Sequence, residues 1–454
     1  MAALGKDREV GVALLLAVAL ASPVGAWQEE SAEGEEAARG PRLEWGLESK
    51  AHYRDSDRNR FPVPFPFTPA QLPPGQTQGF EETVNEGSHF EVSTVTLRVN
   101  AVWGDGLMAH AKIDAIDLYD RNPTSTDKKV DVDEAWIRFG IEPDPAALPE
   151  RSGVYLKIGK LPKFERQDDR HLESYGLVST AFNRFEDAGA ELGASLGRHV
   201  YLKLSATQGN PVFLRDPNAL AGDNGTTEAT SLKTGIVLLY DAEVEDLDTD
   251  GDLELGGGLG VRFGDAAGRN GVDVLAWAYQ RKLAETVDLE GTFYGGDLDV
   301  LDGPGSPALP PLPIDGDEKR ELGANVWLYL GGLSLFAQYV DQELAGLPRT
   351  GIEGELSWRF ELPLVWAVDD RQLFTFVAPA VRYSKIDNDF RARPGIPNPA
   401  PSLFWDWEKL DAGVRLGIFT GVDLTVEYAD NRFILGNGAE RDNNELLSTL
   451  RWSL

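Results

Sequence analysis

The sequence predicts an all-β protein, a transmembrane antiparallel up-and-down β-barrel of about 16 to 18 strands. Three observations predict it. Apolar and polar residues alternate with period two across most of residues 42–454; very short turns take turns with long polar connections; and the strand faces opposite the apolar ones are charged. The alternation puts one face of each strand in an apolar medium and the other in water, and sorted loops are what a membrane barrel shows.

The N-terminus reads as an export address. Lys6 and Arg8 precede an uncharged run from Val10 to Ala21, and Ser22-Pro23-Val24-Gly25-Ala26 places small residues before a cut after Ala26. Residues 1–26 are therefore expected to be a secretory signal peptide, too short to span a bilayer. The acidic stretch 27–41 follows as an expected disordered linker. Beyond it no run of about 18 apolar residues could form a transmembrane helix, so the barrel is assigned to 42–454.

The first clear hairpin is VTLRVNAVWGDGLMAHAKIDA. Val95, Leu97, Val99, Ala101 and Trp103 share one face, Gly104-Asp105-Gly106 turns the chain, and Leu107, Ala109, Ala111, Ile113 and Ala115 share a face on the return. Short turns recur at Gly197-Arg198-His199, Gly331-Gly332 and Thr420-Gly421, whereas long connections occupy roughly 54–89, 161–187, 208–230, 295–319 and 387–407. Reading the weakly patterned segments 231–243 and 283–294 as strands brings the count to ~18. The last strand alternates through Leu446, Leu450, Trp452 and Leu454, which is expected to close the barrel against the first strand and to be read by the outer-membrane assembly machinery. Outward aromatics form two expected belts: Trp45, Trp103, Phe139, Phe360 and Trp452 at the short-turn ends, and Phe263, Phe293, Tyr339 and Tyr428 towards the other.

Composition limits the partners. The 454-residue chain carries a formal charge of -31 and no cysteine. Such a balance excludes nucleic acid as a partner, and without thiols neither disulfides nor cysteine-ligated zinc can form. Catalysis finds little support: there is no HExxH or P-loop, and only five His are scattered along the chain.

Inward positions are strongly charged. Lys112, Arg138, Lys157, Lys203, Arg262, Arg359, Arg415 and Arg451 are expected in the lumen with Asp114, Glu134, Glu191, Glu254, Glu355, Asp411 and Glu427. A packed core does not hold so many ions, so the interior is expected to be wet and to pass hydrophilic solutes. The stretch GVYLKIGKLPKFERQDDRHLESYGLVSTAFNRFEDAG leads from Lys157 and Lys160 into the third long loop, 161–187, which carries Lys163, Arg166, Arg170, His171 and Arg184. This loop is the candidate constriction, and its cations could hold an anion transiently. It also holds four Lys/Arg against six Asp/Glu, so a salt-bridged loop is the competing reading. A second motif, Asp246-Leu247-Asp248-Thr249-Asp250-Gly251, matches the first half of a calcium loop, but Gly257 stands where the bidentate Glu is needed. It leaves a weakly bound calcium ion or a plain acidic turn on the short-turn side; no other cofactor is expected.

The KIGKLPKF segment (Gly159, Lys160, Pro162, Phe164) before the third loop, the closing GVDLTVEYADNRF hairpin and the layout of most of 42–454 resemble the phosphate-selective porin O and P family. That resemblance implies a homotrimeric barrel of 16 strands in the outer-membrane lipid, with a constriction and a lysine ladder guiding anions. It carries over to Lys157, Lys160 and Lys163. The expectation is thus a passive channel for small solutes, phosphate among them. The alternatives are an alginate-type polysaccharide exporter, a non-conducting barrel with an enzyme or adhesion role, and a secreted soluble β-protein.

Overall fold

A computed structural model describes residues 41–57, 60–62, 74–75, 80–82, 87–104, 106–116, 130–142, 153–167, 170–182, 186–209, 243–244, 253–264, 270–283, 289–290, 312–363, 366–368, 371–391, 405–434 and 438–454. Sixteen strands close into one antiparallel barrel. In chain order they are β1 (Arg42–Ser56), β2 (Gly87–Trp103), β3 (Leu107–Ile116), β4 (Val130–Gly140), β5 (Gly153–Leu161), β6 (Asp187–Leu196), β7 (Val200–Thr207) and β8 (Glu254–Gly264). Then come β9 (Asn270–Lys282), β10 (Glu318–Leu330), β11 (Leu333–Leu344), β12 (Leu347–Trp358), β13 (Phe376–Asn388), β14 (Asp406–Phe419), β15 (Val422–Ile434) and β16 (Glu445–Ser453). Each pairs with its neighbours in sequence, and β16 closes on β1 with Trp452 opposite Ser49 and Leu450 opposite Ala51. No strand edge is left open over the span, as a membrane requires.

The count of 18 is corrected to 16. β7 pairs directly with β8, Thr207 facing Glu254. Of the two weakly patterned segments, the described residues supply only a two-residue ladder between Glu243–Val244 and Leu289–Glu290, outside the barrel. Residues 1–40, including the expected signal peptide, lie outside the described residues.

The outer surface is the apolar face of the alternation. Leu192, Leu202, Leu255, Leu259, Leu322, Val414 and Leu450 are all exposed on it. Trp45, Trp103, Phe139, Phe360 and Trp452 stand at the short-turn ends, with Trp358 beside Phe360. Phe263 is corrected to this same belt, because β8 runs from the long-loop end at Glu254 to the short-turn end at Gly264. Tyr339, Tyr383, Tyr428 and Phe90 are exposed nearer the other end; Phe293 lies outside the described residues.

Loop sorting has exceptions. At the long-loop end β11 and β12 are joined only by Ala345 and Gly346, whose φ values of 47° and 79° make the left-handed turn that matches strand twist. At the short-turn end β12 and β13 are joined by 359–375, which contains a small ladder of Trp366–Val368 with Arg371–Leu373. Asp246, Asp248 and Asp250 lie outside the described residues.

A packed apolar cluster lies inside the barrel towards the long-loop end. Trp277, Leu275, Val340, Trp405, Trp407 and Phe433 surround Leu177, Val178 and Phe182 of the third loop. An inward ring here often faces a glycine on the next strand. The Phe164 ring covers Gly258 and the Tyr201 ring covers Gly260, where a Cβ would fall 2.8 and 2.0 Å from ring atoms. Glycine lets each ring lie against the wall instead of projecting into the lumen.

Candidate functional site

Loop L3 (162–186) turns inward from β5 and follows the inner wall from β8 round to β1. Its base sits against β8 to β10. Lys163 Nζ donates to Glu254 Oε1 (2.6 Å) and lies 4.3 Å from the centre of the Tyr279 ring. Glu254 also accepts from Lys319 Nζ (2.8 Å) and has Arg281 Nε at 3.6 Å. Glu165 accepts the Tyr279 hydroxyl (2.5 Å), and Asn325 donates to its carbonyl. The middle of L3 sits on β11 to β15. His171 donates its backbone N–H to Glu355 Oε1 (2.9 Å); Glu173 and Ser174 donate theirs to the two oxygens of Glu427 (2.7 Å each). A short helix, α1 (Leu177–Ala181), starts with Val178 N–H donating to Glu353 Oε2 (3.0 Å). Lys50 of β1 reaches back to Glu173 at 2.9 Å, joined there by Arg451 of β16.

Burial tunes the carboxyls of this loop. It pushes Glu165 up to about 7 against the pull of Lys163 and the Tyr279 hydroxyl. Burial and the neighbouring Asp133 likewise push Glu186 up to about 7 despite Arg166. Burial would also raise Glu173, but Lys50 and Arg451 outweigh it and hold that carboxyl down at about 2. For Lys163 burial acts downward, and Glu254 overturns it and raises the ammonium's pKa.

The loop thus divides the lumen. On the wall it covers, Glu254, Glu355, Asp411 and Glu427 are sealed from solvent, as are Glu191 and Lys409; the expectation of a wholly wet interior is corrected there. These ions are tolerated because each has opposite charge or backbone N–H groups against it. On β1 to β7 part of the inward charge stays wetted, at Lys50, Lys112, Glu134, Arg138, Lys157 and Lys203, with Arg98 exposed, whereas Arg54, Asp114, Asp187 and Glu191 are buried. Arg166, Arg170, His171 and Tyr175 of L3 are likewise partly wetted. The partly wetted side chains of L3 and of β1–β7 mark where an aqueous path would run.

The sequence-predicted cations fall into three groups. Most are lumenal and paired: Lys112 with Asp133 and with Asp114 (3.5 Å), Arg138 (3.5 Å) and Lys157 (2.8 Å) both with Glu142, and Lys203 with Glu191 (3.9 Å). Arg262 pairs with Asp273 (2.7 Å), Arg415 with Asp423 (2.7 Å) and Arg166 with Glu186. Arg170 stacks on Tyr175 at 4.3 Å and has a buried NH1 without a hydrogen-bond partner.

A second group is corrected. Lys163 is buried at 6% exposure beneath L3 instead of lining the path. Lys160 shares the strand face of the exposed Val154 and Ile158, and its Nζ donates to the Val132 carbonyl (2.8 Å). A spacing of three cannot keep Lys157 and Lys160 on one face of a strand, so the expected ladder does not form. Arg359 is exposed at the short-turn end of β12, 3.6 Å above the Phe376 ring and bonded to Glu361, outside the lumenal wall. The third group is Arg184 alone, which lies outside the described residues, as do the carboxylates Asp246, Asp248 and Asp250.

Several residues of the site went unread. Arg382, Lys409, Glu353 and Tyr279 are all inward by simple alternation on β13, β14, β12 and β9, which was signal enough to place them. Asp133 was hidden by a β-bulge opposite Lys112 and Ile113, which turns both Asp133 and Glu134 inward. Among the described residues Asp133, Glu134 and Glu186 have carboxylate oxygens within 4.8 Å of one another, with Lys112 and Arg166 already bonded to two of them.

No protein-family model and no curated protein matches the chain. Among solved structures, the outer membrane channel DcaP of Acinetobacter baumannii aligns at 11% identity over 91% of this chain and 98% of its own, with a TM-score of 0.47. Pseudomonas putida OprB aligns at 10% identity over 91% and 94%, with a TM-score of 0.48. The anion-selective porin from Comamonas acidovorans aligns at 9% identity over 91% and 100%, with a TM-score of 0.43.

Proposed function

We propose that this chain is an outer-membrane channel through which small hydrophilic solutes diffuse passively. The observation that carries the reading is the division of the lumen: L3 lies along the β8–β16 wall, and the opposite wall keeps partly wetted ions of both signs. A solute would enter between the long loops, pass the narrowing between L3 and β1–β7, and leave at the short-turn end. In this reading residues 1–26 direct export, the exterior band sits in outer-membrane lipid, and the homotrimer rests on the family resemblance alone.

Selectivity follows from pairing. Arg138 and Lys157 stand directly opposite each other on β4 and β5 and share Glu142, as Arg98 and Lys112 do on β2 and β3 beside Asp114 and Asp133. Like charges placed opposite cost stability, so such pairs fit a wall that attracts anions. The carboxylates between them keep that attraction small, which supports a general channel with mild anion preference over a dedicated phosphate pore.

The test is single-channel recording of refolded protein in a planar bilayer, with the reversal potential taken under a KCl gradient. Stable steps with a small anion preference are expected. Insertion without conductance would overturn the channel reading, and strong cation preference would overturn the assigned selectivity.

A further inference from the structure

Beneath L3 lies a patch of four carboxylates, Glu353 and Glu355 on β12, Asp411 on β14 and Glu427 on β15, each no more than 3% exposed. Among the described residues, two side-chain cations reach this patch from the strands. Lys409 Nζ lies 3.4 Å from Asp411 and donates to the Tyr175 carbonyl of L3 (2.6 Å). The other is Arg382, which is wholly buried.

Arg382 does three things with one guanidinium. Its Nε and NH2 donate to Asp411 Oδ2 at 3.0 and 2.8 Å, and NH1 reaches Glu355 Oε2 at 3.5 Å, joining β12, β13 and β14 on their inner faces. NH2 also donates to the carbonyl and the hydroxyl of Ser174 in L3, at 2.8 and 2.6 Å. A planar fork of fixed donors suits this; the single ammonium of a lysine does not reproduce it. The rest of the negative charge is met by L3 itself, through the backbone N–H groups of His171, Glu173, Ser174 and Val178. The loop therefore needs the carboxylates as its seat, and the carboxylates need the loop to be buried at all.

We propose that Arg382 is the positioning residue that sets the width of the aqueous path, by holding L3 against the β12–β15 wall. The inference rests on the channel reading above. Without Arg382, the four buried carboxylates keep only Lys409 on the strands and the His171 ring of L3, 2.9 Å from Glu355. Hydrating them is then favoured over covering them, and L3 lifts from its seat.

The experiment is planar-bilayer recording of the full chain and of Arg382→Gln, Arg382→Lys and the triple variant Arg382→Gln/Glu355→Gln/Asp411→Asn, each first checked for the heat-dependent gel mobility of a folded barrel. Arg382→Gln should raise the step size about twofold, as a loop leaving one wall widens the water-filled section. Arg382→Lys should fall between, and the triple variant, which removes the uncompensated charge, should return towards the parent step. Those outcomes support the proposal. A folded Arg382→Gln barrel with the parent step and noise overturns it. If Arg382→Gln does not fold, the lysine and triple variants decide: parent steps in Arg382→Lys together with widened steps in the triple variant also overturn it. A parent protein that inserts and never conducts sinks the channel reading instead, while thiol labelling of Leu177→Cys still reports whether Arg382→Gln frees the loop.

Discussion

Replacing Glu173 by glutamine should free the middle of L3 by a calculable amount. Glu173 is the loop residue that crosses to the closing seam, bonded to Lys50 of β1 at 2.9 Å and to Arg451 of β16. Its carboxyl is held down from 4.5 to about 2 although burial opposes this, so the two cations outweigh desolvation. A depression of that size corresponds to about 3 kcal/mol favouring the docked, ionised state. The sign is that of a lowered carboxyl: the stabilisation is complete above pH 4.5 and disappears as pH falls towards 2. Glutamine keeps the shape and removes the charge. Lys50 and Arg451 are not orphaned, because Glu48 lies 3.7 and 3.9 Å from them and Asp423 lies 3.6 Å from Arg451. The chain has no cysteine, so Leu177→Cys in the buried face of L3 gives a single thiol whose maleimide labelling reports undocking. At neutral pH, adding Glu173→Gln should speed labelling about a hundredfold. A change of less than about twofold would show that the seam contact does not hold the loop.

Three further outcomes follow. Glu165 is raised from 4.5 to about 7 chiefly by burial, so its contribution favours the fold below pH 4.5 and is lost as pH rises through 7; the melting temperature in detergent should fall between pH 5 and 8, and Glu165→Gln should flatten that slope, worth about 3 kcal/mol. Gly258→Leu would drive a side chain into Phe164 and Leu275, whose atoms lie 2.8 and 3.0 Å from an ideal Cβ, and should displace the base of L3, read as larger and noisier single-channel steps from a barrel of unchanged gel mobility. Leu259→Arg, at the middle of β8 on the exposed outer face, should cost about 2–4 kcal/mol in denaturant unfolding from lipid vesicles, whereas the same change at Leu253, just before β8, should cost far less.

The barrel was legible because period two survives in nearly every strand: the Val95 to Ala115 hairpin pairs as read, with Val95 opposite Ala115 and Trp103 opposite Leu107. The count was less legible. Segments 231–243 and 283–294 contain apolar residues, but pairing is decided by which strand ends meet, and Thr207 meets Glu254. Loop lengths misled for a related reason. Two adjacent positive-φ residues suffice to turn β11 into β12 at the long-loop end, so length alone does not say at which end a connection lies.

Charge in the lumen was legible as charge, and its use was not. Alternation says that Glu355, Asp411 and Glu427 point inward; it does not say that a loop nearly two hundred residues or more away in sequence will cover them. The same insertion explains why Lys163 and Lys157, six residues apart, end in opposite surroundings, one under the loop and one beside the water. The basic residues of L3 looked like ligands for an anion, yet over β12 to β15 the loop is attached the other way, by backbone N–H groups donating to wall carboxylates. An acidic balance therefore need not describe the surface a solute meets. On the covered wall the excess negative charge is consumed in seating L3, and the path is bounded by the opposite wall, where Arg98, Lys112, Arg138 and Lys157 alternate with their carboxylates. A reversal potential thus reads that wall, while the step size reads the seat, so the two quantities should respond to different substitutions: Lys157→Glu should move the first, and Arg382→Gln the second.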